Sequence, residues 1–308
     1  MSVVRRVAWT AVVGALGLGW LSGCESPPMG PGEIPQPARP VEGWNRPLPP
    51  WAEIAKTYNA RLVGLDRLRA PVTVVVEAPD GHGGRRKDQL EGNLQVILPD
   101  RVALRLDKVG QTVFQVGCDP TKYWSLDFTG EPVALVGLHS KLGPRSAARL
   151  GVPVHPFDLI DLLAITPLPA SGGKGTRVEW SRGRDLMIVT LPARAGSGAS
   201  RRLTLDAKSM YPTRVELLDA KGGILATGDL SRYVTVELPG VAISRTRIAE
   251  RYEVVLPGED ARVTLSVYDP KNPGGSMRAQ AFDFEALCTA YGVAKVYDLD
   301  RPAPGGTP

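Results

Sequence analysis

Cys24 is the residue whose surroundings say most about chemistry. It follows Leu21-Ser22-Gly23, and those residues close an uncharged apolar run, Val7 to Leu21, behind Arg5-Arg6. A thiol there is a nucleophile presented just beyond a membrane-directing segment. Other reactive groups are sparse, with three Cys and three His in 308 residues. So few cysteines exclude a disulfide scaffold and a multi-Cys zinc domain, and the scattered histidines leave little for a His-based metal site. His82-Gly83-Gly84-Arg85 has the composition of an oxyanion loop, but no G-x-S-x-G run supplies a nucleophile elbow. His139-Ser140 and His155 with Asp158 supply Ser, His and Asp without a pattern that aligns them as a triad. Ser171 to Thr176 reads S-G-G-K-G-T, and Gly175 separates the Lys from the Thr that a phosphate loop needs beside it. Cys118 and Cys288 either pair, as an exported protein permits, or stay two buried thiols. No catalytic residue, metal or cofactor is expected.

The segment before Cys24 has the basic start and apolar middle of an export signal, residues 1–23, and is too short for a spanning helix. Leu21-Ser22-Gly23-Cys24 resembles the bacterial lipobox. That resemblance implies cleavage before Cys24, diacylglycerol on its thiol and a third acyl chain on the new amine. The alternative is an ordinary signal with a chance Cys, or an N-terminal anchor. At ~0.8 kcal/mol per buried CH₂, two or three chains anchor stably where one does not. Glu25 follows, where an Asp would resemble the inner-membrane retention signal of enteric bacteria, so the expectation is an outer-membrane anchor facing the periplasm. Residues 24–50 carry nine prolines at positions 27, 28, 31, 35, 37, 40, 47, 49 and 50. Such a stretch favours extended polyproline II and makes a tether reaching up to roughly 80 Å.

The remainder must build a core. The chain is 43% hydrophobic and 22% charged, with a formal charge of +5, which fits a globular domain rather than a disordered one. Trp51, Ile54, Ala55, Tyr58 and Leu62 recur at helical spacing, so Trp51 to about Leu65 reads as a helix. Strands follow at Val72–Ala78, Leu94–Leu98, Val102–Leu106, Val113–Gly117 and Tyr123–Phe128, joined by turns rich in Pro, Asp and Gly. Val133 to Leu142 reads as a weak helix, and Phe157 to Leu163 as a stronger one between Pro156 and Pro167. A second run of strands fills Val178 to Tyr268. That makes roughly a dozen antiparallel strands with helices in two places, in one domain over residues 51–300, before a frayed tail at 301–308. A basic–aromatic nucleic-acid motif is absent, and nucleic acid is not an expected partner.

A helix, about five strands, a helical insert and a second run of strands resembles the lipoprotein-carrier family of LolA and LolB. Gly92-Asn93-Leu94-Gln95-Val96 through Pro99-Asp100-Arg101-Val102 is similar to that family's entry pattern, and Leu104 to Gly110 to a LolB-type loop. Leu203 to Asp206, Pro212-Thr213-Arg214-Val215, then Asp219 to Gly223 and Tyr233 is similar to its second half. The resemblance covers residues 51–240; the chain after Pro239 exceeds a typical member. It implies an α+β fold, mainly β: one strongly curved antiparallel half-barrel of about 11–13 strands, capped by the N-terminal helix and the insert. It also implies a non-catalytic, monomeric protein that holds a lipid or an acylated protein in an apolar cavity. The residues expected to face that cavity are Leu94, Val96, Leu104, Phe114, Trp124, Leu126 and Phe128, with Leu159, Ile160 and Leu163 on the lid. Val109, at a turn tip, is expected to touch membrane or acyl chains. The alternative is a structural lipoprotein using the same fold as a protein-binding platform.

Overall fold

Strand alternation builds almost everything in this chain. Arg67–Pro79 (β1) alternates buried Leu68, Ala70, Val72 and Val74 with exposed or half-buried neighbours, the period-two signature of a strand with one face on a core. The computed structural model describes residues 47–80, 82–142, 155–181, 185–193 and 199–301. The export signal, Cys24 and nearly all of the tether lie outside the described residues, as does the tail from 302 onward.

Trp51–Ala60 (α1) enters from Pro50 and leads into β1. Then come Arg85–Ile97 (β2), Arg101–Lys108 (β3), Gln111–Cys118 (β4), Lys122–Asp127 (β5) and Val133–Leu138 (β6). Pro156–Leu162 (α2) leads into Arg177–Trp180 (β7), Leu186–Leu191 (β8), Ser200–Asp206 (β9), Pro212–Leu218 (β10), Ile224–Thr235 (β11), Arg247–Leu256 (β12) and Ala261–Val267 (β13). Phe284–Ala290 (α3) and Lys295–Asp298 (β14) close the described chain. All fourteen strands lie in one sheet, in the order β14-β6-β5-β4-β3-β2-β1-β13-β12-β11-β10-β9-β8-β7. Each half is a meander of hairpins, and β1 pairing with β13 joins the halves. The two ends do not meet, so the sheet is curved and open. Every pairing is antiparallel except that of β14 with β6.

Four elements differ from the sequence reading. The apolar run from Val133 is the strand β6, not a helix, followed by a single 3₁₀ turn at His139–Lys141. It pairs on both sides and is covered on both faces, so its residues do not alternate and periodicity cannot tell it from a buried helix. α1 stops at Ala60; Gly64, at φ +79, then turns the chain into β1 while Leu62 and Leu65 stay buried. Finally, α3 and β14 lie where no element is expected. Asp283 caps α3, its carboxylate accepting from Ala286 N–H at 2.9 Å.

Candidate functional site

The inner face of the sheet carries the main core. The registers place Ala70, Leu94, Leu104, Val116, Ser125 and Leu135 in one row across β1 to β6. Leu94 and Val96 are fully buried there, Leu104 lies beside them, and half-buried Phe114 packs on the same cluster. These four come together on the inner face, as part of its packed core. Trp124, Leu126 and Phe128 do not: they belong to a second cluster on the opposite face, with Ala134, Phe284 and Leu287.

Strand parity explains the division. Cys118 pairs with Tyr123 and Gly117 with Trp124, so Tyr123 and Ser125 point inward and Trp124 outward. Tyr123 and Trp124 are both fully buried, so β5 shows no polar side to read. The glycines mark which ring goes where. A Cβ on Gly117 would come 3.0 Å from the Trp124 ring, and one on Gly137 2.5 Å from the Tyr123 ring. Cys118 and Cys288 are separated by the same rule, Cys118 in the inner cluster and Cys288 against the outer one, and they are not paired with each other.

α2 lies on the inner face and packs against β3, β4 and β10. Ile160 and Leu163 are buried to within 2% and half-buried Leu159 packs beside them, so all three expected lid residues join the inner cluster. Leu162 packs over Gly228 of β11, where a Cβ would lie 3.4 Å from its Cδ2. A glycine there leaves a dent in the sheet, and Leu162 fills it. Polar contacts hold α2 in place. Asp161, 3% exposed, pairs with Arg201 of β9 at 2.7 Å, and His155 caps the helix through Nδ1, which accepts from Phe157 N–H at 3.2 Å.

α1 clasps the chain that follows α2. Tyr58 Oη donates to the Ala164 carbonyl at 2.8 Å, and the buried Arg61 guanidinium donates to the same oxygen. Asn59 bonds Leu168 in both directions, Nδ2 to its carbonyl at 2.8 Å and Oδ1 from its N–H at 2.7 Å. Trp51 Nε1 donates to the Pro169 carbonyl at 2.9 Å. Arg61 also lies over the Tyr58 ring, 4.4 Å from its centroid. Around this clasp, burial pushes the hydroxyls of Tyr233 and Tyr252 well above the usual phenol range, with the Arg61 charge opposing it.

The dismissed catalytic candidates have structural work. His139 stacks on Phe157 at 3.9 Å, and its Nε2 donates to the Asp119 carbonyl at 2.8 Å. His139 and His155 rings sit 5.4 Å apart beside Tyr123, at the entry to α2. Among the described residues no group of three metal-ligating side chains converges, and no helix is long and apolar enough to cross a membrane. Val109 is 97% exposed at the tip between β3 and β4, with φ +50, next to Gly110 at φ +76. Two cavities, of about 540 and 760 Å³, lie on the outer face beneath the segment that carries α3, not on the inner face.

No protein-family model matches the chain, and no curated protein matches its sequence. Solved structures match its fold. A DUF1329 family protein from Desulfovibrio piger aligns with TM-score 0.51 at 12% identity, covering 77% of this chain and 97% of that one. A LolA superfamily protein from Nitrosomonas europaea aligns at TM-score 0.48 and 13% identity over 76% of this chain and 97% of its own. An outer membrane lipoprotein-sorting protein domain from Vibrio parahaemolyticus gives 0.46 and 16% over 77% and 97%. At such identities the likeness is one of fold alone, and it is carried by the Desulfovibrio piger protein: one open, curved, almost wholly antiparallel sheet with α1 and α2 on its inner face.

Proposed function

We propose that this chain is a lipid-anchored envelope protein whose half-barrel takes an acyl chain, free or attached to a protein, in place of α2. The observation that carries the reading is the seating of Leu162 in the dent over Gly228. α2 is a plug in an apolar bowl, seven residues long, and the buried Asp161–Arg201 ion pair ties it to β9. Phe157, Ile160, Leu162 and Leu163 contribute roughly 1.5–3 kcal/mol each by burial. A 16-carbon chain contributes about 12 kcal/mol, at the upper end of that sum of roughly 6–12 kcal/mol. The ligand therefore at least replaces what burial of the plug contributes, as carriage requires. The LolA superfamily and lipoprotein-sorting proteins share the architecture, and the lipobox-like residues before Cys24 supply the anchor. No covalent chemistry is involved, and the protein works as a monomer at the periplasmic face of the outer membrane.

The filled inner face favours a second reading, a non-catalytic platform that binds protein through its surface. One experiment separates the two. Full-length protein is extracted without detergent and examined by native mass spectrometry, then by lipid analysis after denaturation. A bound acyl species besides the lipid on Cys24 supports exchange. Protein carrying only its own anchor, and refusing added palmitate, leaves the platform.

A further inference from the structure

The 760 Å³ cavity on the outer face is lined unlike its surroundings. Its floor is two cross-strand rows. Arg69, Gln95 and Ala103 form one, and Asn93, Arg105 and Gln115 the other. Its roof is the chain from Ser276 to Ala281 with Leu287, Ala290 and Tyr291 of the α3 region. One strand further along, the same sheet face under the same roof is apolar, with Trp124 and Leu126 against Phe284. A roofed sheet face is ordinarily apolar, because buried polar groups without partners are destabilising. Here the floor holds three amides and two guanidiniums.

Several of their valences have no partner among the described residues. Gln115 is 4% exposed, and its Oε1 has no hydrogen-bond partner among the described residues; buried Asn93 Oδ1 has none either. Arg69 and Arg278 make no ion pair with a described carboxylate, and Arg105 alone has one, Asp107 at 3.2 Å. No Asp or Glu lines the cavity. Buried polar atoms in folded proteins are almost always satisfied, and two atoms without a partner among the described residues, Asn93 Oδ1 and Gln115 Oε1, belong to side chains that line this cavity. We propose that this cavity binds a small hydroxylated anion, of the sugar phosphate or sugar acid class. The guanidiniums of Arg69, Arg105 and Arg278 receive the anionic group. The amide oxygens of Asn93 and Gln115 accept from hydroxyls. Tyr291, Met277 and Leu287 cover the apolar side of the ring. The volume falls in the range of small-molecule sites. The site is separate from the inner face, since it uses the opposite side chains of β1 to β4.

Full-length protein is titrated by calorimetry with glucose 1-phosphate and glucuronate, and with glucose and inorganic phosphate as the separate halves. At least one hydroxylated anion binds saturably, about tenfold or more tighter than glucose or phosphate, and weakens with added salt. Arg278→Gln sits on an exposed stretch and leaves the sheet intact; it weakens binding about tenfold, and Gln115→Met does the same if it folds. The proposal is overturned if no hydroxylated anion binds better than its halves. It is equally overturned if Arg278→Gln and Arg69→Gln both bind as wild type does.

Discussion

Truncating the plug tests its exchange directly. Leu162→Ala empties the dent over Gly228 while leaving the Asp161–Arg201 ion pair and the clasp at Ala164 in place. Leu→Ala substitutions at buried sites lower stability by about 2–5 kcal/mol, and Leu162 is 3% exposed. If only ~2 kcal/mol of that is lost from the plugged arrangement and not from an unplugged one, the unplugged fraction rises roughly 25-fold. An acyl ligand that needs the unplugged bowl then gains the same factor in apparent affinity, because the closed state taxes binding by its population. The mutation thus lowers the urea midpoint and tightens binding, two effects of opposite sign. The assay is paired: urea unfolding for stability, and titration with a fluorescent fatty acid for affinity. A core mutation with no role in exchange gives the first effect alone. Val189→Ala on β8, also buried in the inner cluster but outside α2, is the control and should destabilise without tightening. Equal binding by wild type and Leu162→Ala, with the stability loss present, would refute the exchange reasoning.

Two further outcomes follow from the geometry. Val109 holds a left-handed conformation that a β-branched residue adopts at a penalty of about 1–2 kcal/mol. Val109→Asn, giving Asn-Gly at the hairpin tip, should raise the urea stability by about 1 kcal/mol and lower partition of the protein onto vesicles. A stability gain with unchanged partition would show that the exposed Val is incidental. Tyr233 and Tyr252 ionise far less readily in the fold than in the unfolded chain, where a tyrosine ionises near pH 10. Because their folded values are raised, the stability they contribute is fully present below about pH 10 and is lost as pH climbs beyond it. Of the eight tyrosines, this buried pair should add its tyrosinate absorbance only together with loss of the near-UV circular dichroism; the full tyrosinate absorbance reached with the near-UV spectrum intact would contradict the burial argument.

The strand-by-strand order was largely legible because hairpins announce themselves: polar turns at Pro99-Asp100, Lys108 to Gly110 and Gly222-Gly223 separate alternating runs. What defeated sequence reading was coverage on both faces. β5 and β6 sit between the inner core and α3, so Tyr123-Trp124-Ser125-Leu126 is buried on both faces and its sequence hides which parity faces in. The cue was present in the neighbours, since glycines at 117 and 137 leave room for one aromatic on each side. The cap at Asp283 was equally visible three residues before Ala286. The polar floor at Asn93, Gln95, Arg105 and Gln115 could not be singled out, because half-exposed polar residues on a strand look the same whether solvent or a roof covers them.

The segment after Pro239 changes what this half-barrel is able to do. An open sheet exposes two edges and one convex face; here β14 pairs with the β6 edge in parallel, and α3 roofs the adjoining outer strands. Clamping β6 from outside stiffens the strands against which α2 packs on the inside, since β3 and β4 carry both Leu104 and Val116 inward and Ala103 and Gln115 outward. Side chains on opposite faces of a strand share one backbone, so a ligand that draws the roof down on Arg105 and Gln115 acts on the strands that seat α2. Coupling between an outer anion site and an inner acyl site is then a property of the shared strands β3 and β4 rather than of a hinge, and it is reciprocal. If the two sites are coupled, a saturating fatty acid should alter the affinity of the outer cavity for a hydroxylated anion by the same factor by which that anion alters fatty-acid affinity, and titrations in both orders check it.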